Sequence, residues 1–171
     1  MRVMGIDCGT EYTGFGVAEQ THGNRDLIYI TCGAIKLSKR DPLPERLAHI
    51  YESLCAIARS HQPDIVAIEE VFYSVNPKSA LKLGQVRGVA MLAASSCGLS
   101  VAEYSPLSIK AAVVGYGRAD KQQVQYMIKH LLNLREAPEP SDAADALAIA
   151  ICHLHTSATM AKQRVMSAQN A

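Results

Sequence analysis

Arg2-Val3-Met4-Gly5-Ile6-Asp7-Cys8-Gly9-Thr10 is a short apolar run that stops on a carboxylate and a glycine. A run of this length, bounded by turn residues, predicts a buried strand. Asp7 then stands on rigid backbone at the rim of a sheet. A buried carboxylate is costly unless it is paired, protonated or bound to a cation. What Asp7 faces is set by the rest of the chain.

Downstream, Gly14 to Ala18 predicts a second strand, and Leu27 to Ile35 a third, after a polar turn at His22-Gly23-Asn24. Strands joined by short polar turns predict an antiparallel meander. The period then changes. Leu47, Ile50, Tyr51, Leu54, Ile57 and Ala58 fall at three- and four-residue spacing, which predicts an amphipathic helix after Pro42 and Pro44, ended by His61-Gln62-Pro63. Asp64 to Glu70 repeats the opening pattern, an apolar run closing on acids. Helices are expected over Asn76 to Ala94, Leu107 to Val114 and Lys121 to Leu132, with a fifth strand over Leu99 to Tyr104. Ser141 is positioned to cap a last helix over Asp142 to His155. Thr156 to Ala171 lacks periodicity and reads as a frayed tail. A meander followed by alternating helices and strands makes an α/β sheet of about five strands covered by helices.

The 171 residues predict one domain with a substantial core, assigned to residues 1–156, with 157–171 as a flexible C-terminal tail. No run of eighteen apolar residues occurs, and no basic segment followed by an apolar stretch opens the chain. These readings predict no membrane span and no secretory signal. The five cysteines (Cys8, Cys32, Cys55, Cys97, Cys152) form no CxxC pair, which disfavours a zinc site or a disulfide framework and fits the reducing cytoplasm. Net charge is only +1, but Lys78, Lys82, Arg87, Lys110, Arg118, Lys121 and Lys129 are concentrated in the second half with few acids among them. A basic face is compatible with that total.

Asp142 and Asp145 are three apart, so they share one helix face with Cβ atoms about 5–6 Å apart. Such a pair suits the positive end of a helix dipole with no further role. Here, however, the helix is apolar almost all round from Ala143 to Ile151, and no lysine or arginine lies between Asp142 and His155. Buried carboxylates without a counter-charge point to a divalent cation, and Mg²⁺ prefers carboxylate oxygen. Glu69 and Glu70 are adjacent and point to opposite faces of a strand, so periodicity does not choose between them. Cys8, His153 and His155 are weaker candidates.

Gly5-Ile6-Asp7-x-Gly9, Ala67-Ile68-Glu69-x-Val71-Phe72, the stretch Ser79 to Gly88 with Gly84-Gln85-x-Arg87-Gly88, and Asp142-Ala143-Ala144-Asp145-Ala146-Leu147-Ala148 occur in order. Together these motifs resemble the bacterial RuvC family of Holliday-junction resolvases, over about residues 2 to 155. The resemblance implies a ribonuclease-H-like fold with a five-stranded mixed sheet, its first three strands antiparallel, flanked by helices. It implies a homodimeric, metal-dependent endonuclease that makes paired nicks in four-way DNA junctions during recombination and repair. A branch-migration complex of the RuvA and RuvB type is the implied partner. Carried over by position, the catalytic and metal-binding acids are Asp7, Glu69, Asp142 and Asp145, with Glu69 preferred to Glu70. Phe72 matches the aromatic that engages junction DNA, and Lys110 and Lys121 match basic residues near the scissile phosphate.

Cys8 and Thr10 depart from the Pro and Ser common in the family, and Thr10 keeps the hydroxyl. Lys78, Lys82, Arg87 and Arg118 are expected to contact DNA phosphates. Two Mg²⁺ ions bridged by Asp7, with Mn²⁺ able to substitute, would support in-line hydrolysis to a 5′-phosphate and a 3′-hydroxyl.

Three alternatives share these features. They are a non-catalytic junction-binding module, an RNA-processing nuclease of the same fold, and an actin-like kinase, whose phosphate loop Gly5 to Thr10 also resembles. The kinase needs a second such domain, and the chain is too short for one.

Overall fold

The computed structural model describes residues 1–21, 26–70 and 77–169. Strands β1 (Arg2–Asp7), β2 (Tyr12–Gln20), β3 (Leu27–Lys36), β4 (Ile65–Glu69) and β5 (Ser100–Tyr104) form one sheet in the order β3-β2-β1-β4-β5. The first three pair antiparallel, whereas β4 lies parallel to β1 and β5 parallel to β4. The opening run is thus the middle strand. Val3 to Ile6 are buried on both faces, which is why the stretch reads as apolar throughout.

Helices cover the two faces. On one lie α1 (Leu43–His61) and α2 (Pro77–Ser96), packed on Met4, Ile6, Val17, Val66 and Ile68. Pro44 falls in the first turn of α1, where a missing N–H costs nothing. The helix stops at Gln62, which takes a left-handed conformation and donates its N–H to the Ala58 carbonyl. On the other face lie α3 (Pro106–Val114), α4 (Lys121–Leu131) and α5 (Ser141–Gln169), packed on Val3, Ala18 and Ala67. Among the described residues no helix is long and apolar enough to cross a membrane. The turn at His22-Gly23-Asn24 lies outside the described residues.

α5 crosses β1 and β2 at very short range. A Cβ added to Gly5 would stand 2.0 Å from the Ala146 carbonyl oxygen, and one on Gly14 would stand 2.1 Å from that of Asp142. Only glycine lets the helix backbone settle there. Leu147, Ile149, Ile151 and Leu154 on α5 are all but fully buried. Burying each contributes about 1.5–3 kcal/mol, which holds the helix down although Asp142 and Asp145 stand near its start.

Two expectations for α5 need correction. Ser141 is its first helical residue, and its hydroxyl donates to Asp142 Oδ2 at 3.5 Å instead of capping the helix. The segment expected to fray after His155 continues as helix to Gln169. It has no periodic apolar stripe, but it has no Gly or Pro either, and Ala158, Met160, Ala161, Lys162 and Gln163 are strong helix formers.

Candidate active site

The sheet register decides what Asp7 faces. Val3 packs under α5 while Met4 and Ile6 pack under α1 and α2. Alternation therefore turns Asp7 to the α5 face. In β4, Ile65 and Ala67 share the α5 face, and Val66 and Ile68 the other. Glu69 thus joins Asp7, and Glu70 points away. Ile6 lies opposite Ile68, so the two acids stand level at the ends of adjacent parallel strands. Geometry thus selects Glu69, a choice the sequence pattern left open.

The same rim receives the start of α5, seated by Gly5 and Gly14. Asp7, Glu69 and Asp145 line one cleft of about 230 Å³, together with Lys110 and Lys121 and an apolar wall that includes Ile109, Val124 and Ile149. Asp142 is not part of the cleft lining, yet its charge acts on Asp7. Burial, followed by the charges of Asp145, Glu69 and Asp142, pushes the Asp7 carboxyl up to about 7, with Lys121 pulling the other way. Glu69 is raised too, by burial and by Asp145, and Lys110 opposes the shift.

Each lysine is delivered by a well-fixed helix start. Ser105 caps α3, its Oγ accepting from the Ser108 N–H at 3.1 Å, and Pro106 follows at the first turn. Asp120 and Gln123 form a reciprocal capping box at the start of α4. Lys121, the first residue of that helix, donates to Asp145 Oδ2 at 2.7 Å, a bond that raises the pKa of the lysine. Asp145 thus has a counter-charge, supplied from another helix and so invisible to a search of α5 alone. The signals that would have found these supports are Ser105-Pro106 and the Asp120-x-x-Gln123 spacing.

Among the described residues no three acids, cysteines or histidines are gathered closely enough to hold an ion. The donor chemistry nonetheless suits a hard divalent cation. Every acid facing the cleft offers oxygen, and the acids facing Asp7 leave its own charge disfavoured.

The remaining candidates separate cleanly. Cys8 packs on the α1/α2 side, and burial first, then Asp7, pushes its thiol up to about 12, so it stays protonated. His153 is buried, bonded through Nδ1 to the Tyr104 hydroxyl at 2.8 Å, and His155 Nδ1 lies 2.9 Å from the Ala112 carbonyl. Both are structural, away from the cleft. Lys78, Lys82 and Arg118 are exposed and outside the cleft lining. Arg87 is directed inward, its Nε donating to the Glu69 carbonyl at 3.2 Å and its guanidinium paired with Glu103. Phe72 and Tyr73 lie outside the described residues.

A ribonuclease-H-like sheet with acids at the ends of its central strands, and more acids on the helix laid across them, defines the carboxylate nucleases of that fold. A family model described as Crossover junction endodeoxyribonuclease RuvC matches residues 3–153. The chain is 64% identical over 162 residues to the crossover junction endodeoxyribonuclease RuvC of Koribacter versatilis, covering 95% of this chain and 97% of that protein. It is 56% identical over 169 residues to that of Acidobacterium capsulatum, covering 96% and 99%. Among solved structures, Thermus thermophilus RuvC superimposes with a TM-score of 0.86 at 34% identity over 93% of this chain and 96% of that one. The same protein in complex with Holliday junction substrate gives 0.86 at 35% identity over 92% and 94%. The chain belongs to the RuvC family of crossover junction endodeoxyribonucleases. It is a nuclease, a hydrolase of phosphodiester bonds.

Proposed function

We propose that this nuclease resolves four-way (Holliday) DNA junctions by paired, symmetric nicks that leave 5′-phosphate and 3′-hydroxyl ends. The observation that carries the reading is the level placement of Asp7 and Glu69 in one cleft with Asp145, Lys110 and Lys121. The related Thermus structure that holds Holliday junction substrate supports the choice of substrate. Asp7, Glu69, Asp142 and Asp145 would hold two Mg²⁺ ions, for which Mn²⁺ would substitute. When bound, such ions supply Lewis-acid activation of the attacking water and stabilise charge on the leaving oxygen.

The chain's own residues do the rest. Lys110 and Lys121 hold the scissile phosphate above the acids, and the wall of Ile109, Val124 and Ile149 limits water in the cleft. Lys78, Lys82 and Arg118 extend the positive path along the DNA backbone. Each phosphate contact should steepen the salt dependence of binding by about 0.9 in log–log slope. Phe72 joins this proposal through the family resemblance, stacking on a base at the crossover.

A two-fold substrate is best met by a two-fold homodimer. On α2, Leu81 and Leu92 are 71% and 57% exposed, and Gly84 and Gly88 on the same face open onto empty space. That face is the proposed dimer contact, and a stable monomer in sedimentation at micromolar concentration would count against it. Residues 1–156 form the nuclease domain, and the last turns of α5 stand outside it. The enzyme acts in the cytoplasm, in recombination and repair, beside a branch-migration complex of the RuvA and RuvB type.

The test is a nicking assay on a synthetic four-way junction and a linear duplex of the same sequence. The expected result is Mg²⁺-dependent paired nicking of the junction with the duplex left intact. Tight junction binding without cleavage would instead make the protein a binding module, and preferential cutting of RNA would make it a processing nuclease.

A further inference from the structure

The basic residues differ in what holds them. Lys121 reaches into the cleft with 54% of its side chain exposed, whereas Arg87 on α2 has 19% exposed. Lys121 meets Asp145 with its ammonium at the cleft itself, on the side where a phosphate would sit. Arg87 instead directs two of its donors at the ends of β4 and β5. Nε bonds the Glu69 main-chain carbonyl at 3.2 Å, and Nη2 pairs with the Glu103 carboxylate on β5.

The direction of approach matters as much as the contacts. Val101 packs into the core under α1 and α2, so alternation along β5 puts Glu103 on that face as well. Arg87 therefore reaches the end of β4 from behind the sheet, while the Glu69 carboxylate projects forward into the cleft. The support it supplies falls where the sheet gives least. Pairing between β1 and β4 runs out at Ile6 and Ile68, and beyond that point Tyr104 of β5 is the main-chain partner of Glu69 and Glu70 among the described residues.

We propose that Arg87 is a positioning residue for Glu69, clamping the main chain at the end of β4 from the back of the sheet while Glu103 orients the guanidinium. This rests on the reading of Glu69 as a catalytic acid. The direction of a side chain follows its own Cα, so a shift in the β4 terminus carries the carboxylate with it. A misplacement of about 1 Å at a reacting site can cost roughly 100-fold in rate. The planar guanidinium presents donors at fixed angles to two partners at once, which a lysine ammonium does not reproduce.

The experiment uses the full chain and a synthetic four-way junction, with Arg87→Gln, Arg87→Lys, Glu103→Gln and the Arg87→Gln/Glu103→Gln pair. Clamping predicts that Arg87→Gln lowers kcat about 10- to 100-fold while KM, junction affinity and the salt slope of binding stay at the wild-type values. Arg87→Lys should not restore the rate. Glu103→Gln, which leaves the arginine in place, should lose activity in the same sense, and the pair should be no worse than Arg87→Gln alone. A phosphate contact predicts the reverse. Arg87→Gln would then weaken binding and lower the salt slope by about 0.9, and Glu103→Gln would bind junction more tightly by releasing the guanidinium. That pattern overturns the proposal, as does a Glu103→Gln protein with wild-type kcat. A wild-type protein that binds junctions without cutting them would sink the reading of the site itself, and the two failures are distinguishable.

Discussion

The two ends of β1 carry opposite solutions to the same electrostatic problem. At the first end, Arg2 donates to Glu19 Oε2 through Nε and Nη2 at 3.0 and 2.8 Å and to the His61 carbonyl through Nη1 at 2.6 Å, while its backbone N–H bonds Asp64 at 2.7 Å. Charge and hydrogen-bonding capacity there are matched. At the far end, Asp7 shares its surroundings with Glu69, Asp142 and Asp145, and the charges of Lys121 and Lys110 oppose them. A rim that served stability alone would be balanced like the first. The imbalance at the second is maintained by burial of α5, whose apolar contacts outweigh the repulsion. Carboxyls whose titration is perturbed by burial and like charge cluster at functional sites.

The sharpest way to break this comparison is Asp7→Asn, which keeps size and removes charge. Cleavage should fall by about 1,000-fold or more, a loss of roughly 4 kcal/mol in transition-state stabilisation, while junction affinity changes little. Cleavage near the wild-type rate would remove Asp7 from the centre of the account. The same substitution should raise the thermal stability of the metal-free protein. The folded carboxyl titrates near 7 against an ordinary value of 3.8. The folded state therefore binds more protons between those values, and wild-type stability declines as pH rises through that window. Asp7→Asn should gain nothing near pH 3.5 and most at pH 8, at most about 4 kcal/mol by linkage. Melting curves across that range check the sign.

A smaller effect is expected where helix and sheet touch. Gly14→Ala places a methyl against the Asp142 backbone, an overpacking worth about 1–3 kcal/mol. It should lower the melting temperature and slow cleavage together, because the first turn of α5 lifts from the rim. Smallest of all is Arg2→Met at the balanced end. About 1 kcal/mol of stability is expected to be lost, seen as a few degrees in the melt, with kcat unchanged. A cleavage defect there would show that the two ends are not independent.

The sequence exposed most of this architecture because the periodicities were strong. The two acid-terminated apolar runs are β1 and β4, and α1 begins at its proline signal, Pro42 and Pro44. Asp142 and Asp145 were legible as a pair because helical spacing places them together. Three things were not legible, each for a physical reason. The partner of Asp145 is Lys121, a contact between helices that spacing within one helix cannot reveal. Arg87 looks like any basic residue on a helix until the sheet behind it is in place. The helical course of α5 past His155 rests on intrinsic propensity with no apolar stripe to announce it. Glu69 was preferred to Glu70 through the family resemblance, because periodicity does not choose between neighbours on a strand; the β1–β4 register adds the geometric reason.

The central claim is that the crowded rim is a cation site. A crystal of the protein soaked in Mn²⁺, examined by anomalous scattering, tests it most directly. The account predicts Mn²⁺ density between Asp7 and the Asp142/Asp145 pair, in contact with Glu69, with the Lys121 ammonium moved off Asp145. A soaked crystal in which Lys121 still holds Asp145 and no Mn²⁺ lies among the four acids would contradict it.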